Sequence, residues 1–129
     1  MAEYYGGDYL YSVLSTDSGV TAITSADNIF NDTMVPETNT ADNTINLYLV
    51  ENFNAALEYF QSQWSVDCRA KKGYTALNLA TAVVAAVNRV SSAVGGFTYF
   101  ATAEILPVIN PAYDADKFNC PVQVRVRRR

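Results

Sequence analysis

The residue types that most often perform chemistry are scarce in this chain. It has no histidine, and histidine is both the commonest general base near neutral pH and the commonest metal ligand. Cys68 and Cys120 are its two cysteines, and two isolated thiols are too few for a zinc site. Both fall within alternating strand patterns, so we interpret them as small buried apolar side chains. The cysteines therefore predict packing and not catalysis.

The remaining candidate sites are also incomplete. Gly6-Gly7 and Gly95-Gly96 lack the flanking residues of a phosphate-binding loop. Asp114 and Asp116 flank a possible turn, but calcium needs more oxygen ligands at regular spacing, so this segment is interpreted as a solvated loop. The sequence predicts a protein with no catalytic residue, no metal and no cofactor, and hence not an enzyme.

Charge is distributed very unevenly along the chain. The net charge is −4, yet residues 1–68 contain ten acids and neither lysine nor arginine. Residues 69–129 contain all nine basic residues and three acids, so the two parts carry −10 and +6. Such a division can attract two parts of one domain, or it can match an acidic surface on one subunit to a basic surface on its neighbour. It can also reflect charged side chains that only keep two faces of the domain hydrated.

A self-assembly interface is the functional interpretation of these charges. Its predicted members are the acids and bases of loops and strand ends: Glu37, Asp42, Glu51, Glu58, Arg125, Arg127, Arg128 and Arg129. The C-terminal arginines could contact nucleic acid or an acidic protein surface, or they could be a solvated terminus. Because the whole chain is acidic, an acidic protein surface is the favoured target.

Hydrophobic periodicity predicts the elements that would position these residues. Helical spacing predicts helices over residues 8–16 and 74–94, with a short helical turn near residues 20–23. Alternation of apolar and polar residues predicts strands over residues 28–35, 44–51, 58–70, 97–106 and 117–127. Pro121 removes an amide donor from the last strand, which predicts a sheet edge or a bulge there.

These elements predict an α+β fold in a single domain over residues 1–129. The expected architecture is a mixed or antiparallel sheet of four to five strands with two main helices packed on one face. Trp64 and the 74–94 helix are expected to pack together against the sheet. The predicted core comprises Trp64, Val66, Cys68, Leu77, Val84, Val87, Phe118, Val122 and Val124.

The ends and apolar runs of the sequence indicate no membrane. No apolar run approaches the roughly 20 residues needed to span a bilayer. The first residues include neither a basic stretch nor an apolar one, so they do not predict a signal peptide. A cytoplasm-like compartment is therefore expected.

Two blocks of this sequence resemble segments of one known family. The first is Trp-Ser-Val-Asp-Cys-Arg-Ala at residues 64–70, followed by Lys-Lys-Gly-Tyr and an Ala/Val/Leu-rich helix to Val90. The second runs from Asn-Pro-Ala-Tyr at residues 110–113 through residues 117–126. They resemble the central strand–helix unit and the closing turn and strand of the phage tail terminator (tail completion) family. Gly19-Val20, near the end of the N-terminal helix, and the Ile29-Phe30 strand also fit that family's pattern.

The resemblance implies a structural virion protein that forms a hexameric ring. The ring would cap the tail tube, end its polymerisation and dock to the head-side connector or stopper protein. Its place would be the head-proximal end of the tail, assembled in the host cytoplasm, with DNA only as passing cargo and no membrane. Two alternatives stay open: another head–tail joining or tail-tube ring protein, or a small binding module that contacts nucleic acid through its C-terminal arginines.

Overall fold

Three helical elements precede three strands, and one further helix precedes the last four strands, in the computed structural model, which describes residues 6–31, 41–52, 60–94, 96–105, 110–111 and 117–128. The helical elements are α1 (Gly7–Thr16), α2 (Ser18–Thr21), a 3-10 turn (Ala26–Asn28) and α3 (Gly73–Val87). The strands are β1 (Ile29–Asn31), β2 (Thr44–Asn52), β3 (Phe60–Ala70), β4 (Val90–Val94), β5 (Phe97–Ile105), β6 (Asn110–Pro111) and β7 (Phe118–Arg128).

One curled sheet organises the described residues. Its strand order is β1-β2-β3-β7-β5-β4, and the two-residue β6 pairs with β7 outside this path. β1 and β2 run parallel, whereas every other described pair is antiparallel. The predicted α+β class and mixed sheet agree with this arrangement. The predicted count of four to five strands was too low, since six strands form the main path.

The prediction of a helix over residues 74–94 is wrong for residues 88–94. α3 ends at Val87, and the chain turns at Asn88 and Arg89. Arg89 has a φ of 59°, in the left-handed region that ends helices. Two hydrogen bonds then hold the turn to β5, because the Arg89 N–H donates to the Ala101 carbonyl at 2.7 Å and the Asn88 Oδ1 accepts from the Ala103 N–H at 3.0 Å.

The segment beyond this turn is β4. Val90–Val94 pairs antiparallel with β5 in a hairpin whose connection contains Gly96 at a φ of 82°. Its valines stand four residues apart, so they also satisfy the helical period, and the periodicity alone could not separate the two structures. Valine and serine nevertheless favour a strand more than the alanines of α3 do.

The core lies between one face of the sheet and the three helices. Residues of the predicted core that have no exposed surface are Trp64, Val66, Cys68, Val87, Val122 and Val124. Val84 is half-buried and packs against this cluster. The helices contribute Leu10, Leu14, Val20, Leu79 and Val83, all fully buried.

Two predicted core residues, Leu77 and Phe118, are instead exposed over 40% of their surface. The buried stripe of α3 runs through Ala76, Leu79 and Val83, and Leu77 lies beside it. Phe118 is the first residue of β7, beyond the part of the sheet that the helices cover. Its ring lies near the start of α3, since a Cβ on Gly73 would stand 3.9 Å from it.

Trp64 lies beneath the start of α1. A Cβ on Gly7 would stand 2.8 Å from the Trp64 Cη2 atom, so only glycine fits at that position. The Trp64 indole N–H donates to the Ser62 hydroxyl at 3.2 Å. Further along, the rings of Tyr9 on α1 and Tyr99 on β5 stack with centroids 4.7 Å apart. The first helix is therefore fixed to the sheet by aromatic packing.

Pro121 lies on a central strand and not at a sheet edge. On one side it pairs with Asp67 of β3. On the other side the β5 pairing stops opposite Val122 and the β6 pairing starts opposite Asn119. The residue without an amide donor thus falls in the gap between two described ladders. Pro121 was predicted at a sheet edge or a bulge because it lacks an amide donor. Its strand is central, but on the side of β5 and β6 no described ladder pairs with Pro121.

Candidate assembly surface

The sheet face opposite the helices is polar. Along β3 and β7, side chains alternate between the buried core and this outer face. The outer residues of these two strands are Gln61, Gln63, Ser65, Asp67, Arg69, Asn119, Gln123, Arg125 and Arg127. β5 adds Phe100, Thr102 and Glu104 to the same face. A polar sheet face against which no described helix packs suits contact with another polar surface.

Arg125 and Arg127 lie together on this outer face, as predicted. Arg125 stands opposite Gln63 and Thr102 in the ladders, and Arg127 is two residues further along β7. Both arginines are exposed. The Arg127 guanidinium carbon lies 5.3 Å from the centre of the Phe100 ring, a cation–π distance. Two guanidinium groups at this spacing can donate hydrogen bonds to carboxylates of a protein surface.

Arg128 does not belong to that surface. It pairs with the buried Tyr99, so its side chain lies on the helix-covered side of the sheet. Its guanidinium carbon stands 4.1 Å from the centre of the Phe97 ring. Arg129 lies outside the described residues. The predicted cluster of four arginines is therefore divided, and the alternation of β7 was the signal that places Arg128 on the other side.

The two predicted acids that the structure describes, Asp42 and Glu51, do not lie together. Asp42 lies near the end of β3, where its carboxylate oxygen is 3.2 Å from the Lys71 Nζ. Glu51 lies on the outer face in the same cross-strand row as Gln63 and Arg125. Two strand spacings separate Glu51 from Arg125, about 10 Å. Glu37 and Glu58 lie outside the described residues.

Two shallow depressions mark the outer face between β7, β5 and β4. The larger, of about 270 Å³, is lined by Thr102, Ala103, Glu104, Gln123 and Arg125. The other, of about 240 Å³, is lined by Ser91, Thr98, Phe100 and Arg127. Their linings offer guanidinium, amide and hydroxyl groups, which can hold polar side chains of a partner.

A second surface, which the sequence reasoning missed, lies at the opposite end of the sheet. Tyr74 is 63% exposed and stands three residues before Leu77 on α3, with Phe118 beside the start of that helix. The three lysines of the chain flank these side chains in the sequence: Lys71, Lys72 and Lys117. We call these six residues the lysine-rimmed patch. Helical periodicity placed Leu77 in the predicted core, so no local sequence pattern marked this patch.

Two contacts fix the lysines of this patch. The Lys72 Nζ lies 5.6 Å from the centre of the Tyr74 ring. The Lys117 Nζ donates to the Ala41 carbonyl at 2.9 Å. The Lys71–Asp42 ion pair likewise takes the Lys71 amine to the segment that contains Ala41, so the Lys72 amine is the one that lies beside Tyr74.

Cys68 and Cys120 are direct partners across the β3–β7 ladder, and both are free thiols without exposed surface. Burial raises the pKa of the Cys68 thiol well above its usual value, and electrostatic interactions with Cys120 and Asp67 raise this pKa further. Burial also raises the pKa of Cys120. Since the thiolate is the nucleophile, both groups are unreactive near neutral pH.

The described residues offer neither a cluster of metal ligands nor a membrane-spanning helix. In the part of the chain that the structure describes, no three residues of the types His, Cys, Asp and Glu are grouped closely enough to hold a metal ion. Asp114 and Asp116 fall outside that part. None of the helices in the described ranges is both long and apolar enough to cross a membrane.

Comparison with known proteins gives one informative result. No protein-family model matches the chain, and no curated protein sequence matches it. Among solved structures, a chain from "Virion of native gene transfer agent (GTA) particle" superimposes with a TM-score of 0.67. The two chains share a fold. The match covers 92% of this chain and 90% of the other, at 16% sequence identity, so it shows the fold alone.

Proposed function

We propose that this chain is a virion structural protein, and specifically a tail terminator subunit in a single domain over residues 1–129. Six copies would form a ring that caps the tail tube, ends its polymerisation and docks to the head-side connector or stopper protein. The observation that carries the proposal is the shared fold with a chain of a gene transfer agent virion over nine-tenths of both chains.

The arrangement of β3 and α3 supports the finer assignment. The block at residues 64–70 that resembles the tail terminator family forms the end of β3. Lys71 and Lys72 make a two-residue turn, and α3 begins directly at Gly73. Residues 118–126 of the closing block lie in β7, the strand that pairs with β3. The two segments that carry the resemblance are thus neighbours in the sheet.

The surfaces suit assembly better than catalysis. Both cysteine thiols are buried and protonated, and the exposed outer face carries amides, hydroxyls and arginines. The arginine pair and the lysine-rimmed patch lie at opposite ends of β7. One subunit can therefore offer different surfaces to two neighbours, as a closed head-to-tail ring requires. The ring would lie at the head-proximal end of the tail, with DNA passing through it as cargo.

The first experiment is the oligomeric state of the purified chain. Native mass spectrometry and negative-stain electron microscopy should show single rings of six copies. A monomer at all concentrations up to about 100 µM would contradict the proposal, because a stable ring interface gives dissociation constants well below that value.

A second experiment separates a terminator from a tail-tube protein, which also forms rings. Tube proteins stack into long tubes, whereas the proposed terminator stays as single rings and stops tube growth when added. Deletion of its gene from the producing genome should yield overlong tails without heads. Long tubes made by the purified chain alone would instead assign it to the tube.

The nucleic-acid alternative predicts a different outcome. Arg127 and Arg128 each lie over an aromatic ring of their own chain. These contacts favour packing within a subunit or between subunits over the binding of nucleic acid. A monomer that shifts DNA in a gel and loses this binding steeply with salt would support the alternative.

A further inference from the structure

The lysine-rimmed patch is an apolar surface exposed to solvent. Tyr74, Leu77 and Phe118 are three of the five large apolar side chains that are exposed among the described residues. Leu77 stands one turn after Gly73, the residue against which the Phe118 ring lies, so these side chains form one continuous patch. A grouped apolar surface on a small domain usually marks a contact with another protein.

The helix that carries the patch has the composition of an interface. Gly73–Val87 contains no charged residue at all, although several of its side chains are exposed. Solvent-facing helix surfaces normally carry charges, whereas the buried centre of a protein–protein interface is depleted of them. The three lysines of the patch precede α3 or Phe118 and none stands within α3, which suits an apolar centre with a polar rim.

A complementary surface lies on β2. Val50 is 57% exposed, and the exposed Glu51 follows it. The β2–β3 register shifts between Leu49 and Glu51, which is a β-bulge. Bulges redirect a side chain out of the regular alternation. The bulge therefore presents one apolar and one acidic side chain side by side, in the half of the chain that contains no basic residue.

The bulge and the patch lie at opposite ends of the sheet. Leu49, next to the bulge, pairs with Trp64, and Ala70 pairs with Phe118 of the patch. Six residues of β3 separate those positions, about 20 Å at the rise of a β-strand. A subunit cannot contact its own patch with its own bulge across that distance. It can offer both at once to two neighbours.

We propose that the β2 bulge of one copy packs against the lysine-rimmed patch of the next copy. Val50 contacts Tyr74 and Leu77, and Glu51 pairs with Lys72. Charge complementarity selects this occupant, because the patch is basic and the bulge acidic. The contact is heterologous, so repetition around an axis closes a ring. This inference rests on the proposed ring and names the contact between its subunits.

The decisive test mixes two defective variants. Val50→Asp places a charge on the bulge, and Leu77→Asp places one in the patch. Each variant alone should raise the dissociation constant of the contact by about tenfold or more and abolish rings. Mixed, they should form one-to-one dimers and nothing larger, because the intact bulge of one binds the intact patch of the other. Native mass spectrometry of unequal-mass variants reads the outcome directly.

A charge exchange tests the polar part of the contact. Lys72→Glu alone and Glu51→Lys alone should weaken rings, and the double variant should restore them towards wild type. Two matched controls lie elsewhere on the surface: Thr21→Asp is an exposed added charge, and Tyr11→Ala removes another exposed tyrosine. Both should form rings as wild type does. Circular dichroism melts confirm that every variant is folded.

Failure of this inference is distinguishable from failure of the proposed function. Normal rings from both aspartate variants, or no dimer from their mixture, would overturn the bulge–patch contact while the ring itself stands. Normal rings that no longer assemble into particles would assign the patch to a different tail protein and overturn the self-contact. A wild-type chain that stays monomeric would refute the proposed function itself.

Discussion

Gly7 is a position where a single methyl group should destabilise the protein. It is the first residue of α1, and a Cβ there would stand 2.8 Å from Trp64 Cη2 and 2.9 Å from Asn31 Oδ1. Alanine at a helical glycine normally stabilises by about 0.5–1 kcal/mol. Trp64 is fully buried, so its ring cannot move aside, and overpacking of this kind costs about 1–3 kcal/mol. The steric cost exceeds the helix gain, so we expect Gly7→Ala to lower stability by about 1–2 kcal/mol.

Gly73→Ala provides a matched control for this substitution. Gly73 is likewise the first residue of its helix, but a Cβ there meets only the Phe118 ring at 3.9 Å, an ordinary van der Waals contact. It should be neutral or stabilising. Scaled by an unfolding entropy of about 2.1 cal/mol/K per residue, the expected loss for Gly7→Ala lowers Tm by roughly 4–8 °C. Both variants are measured by thermal and urea denaturation at the same protein concentration.

A double-mutant cycle identifies the cause of the effect. Trp64→Phe removes the indole atoms that a methyl group on Gly7 would meet, at the cost of a cavity, and leaves the contact with Asn31 Oδ1 in place. In that background Gly7→Ala should destabilise less than in the wild type, with a coupling energy of about 1 kcal/mol or more. Equal stabilisation by Gly7→Ala and Gly73→Ala in the wild-type background would refute the placement of Trp64 beneath α1.

Three further predictions concern the core, the outer face and the thiols. Val83→Asp should unfold the domain, since a buried unpaired charge costs about 3 kcal/mol or more. Val84→Asp should lower the free energy of unfolding by less, because Val84 is half-buried, and urea denaturation compares the two variants. Arg125→Glu with Arg127→Glu should weaken ring assembly or docking while the melting temperature stays near wild type, and high salt should partly reproduce the loss. The pKa of both buried cysteines is raised, so the free energy of unfolding should fall between about pH 8 and pH 10, where the unfolded chain loses thiol protons that the folded chain keeps. Each thiol contributes a slope of at most about 1.4 kcal/mol per pH unit, and alanine at both positions should abolish this pH dependence in urea denaturation.

Sequence patterns predicted individual strands better than their arrangement. β5 and β7 were predicted to within one residue at each described end, because their alternation is regular over nine to eleven residues. β4 was missed because its valines satisfy both periods. The adjacency of β3 and β7 could not be read from the sequence, since pairing between segments about 60 residues apart depends on the whole fold.

The candidate surfaces show the same limit. Alternation alone places Arg125 and Arg127 on one side, and it also places Arg128 on the other, next to Phe97. The lysine-rimmed patch required two distant segments to meet, residues 71–77 of the β3–α3 connection and α3, and residues 117–118 at the start of β7. Helical periodicity placed Leu77 in the predicted core, so no local pattern marked the patch.

The paired strands also change the meaning of the charge asymmetry. Because β3 from the acidic part pairs with β7 from the basic part, Glu51 and Asp67 share the outer face with Arg125 and Arg127. On the described strands, acids and arginines therefore share one face, and exposed ion pairs contribute less than about 1 kcal/mol each. Assembly energy must then come from buried apolar area, which the described surface offers at the bulge and at the lysine-rimmed patch. In this arrangement the charges select the partner and its orientation, and the apolar side chains hold it.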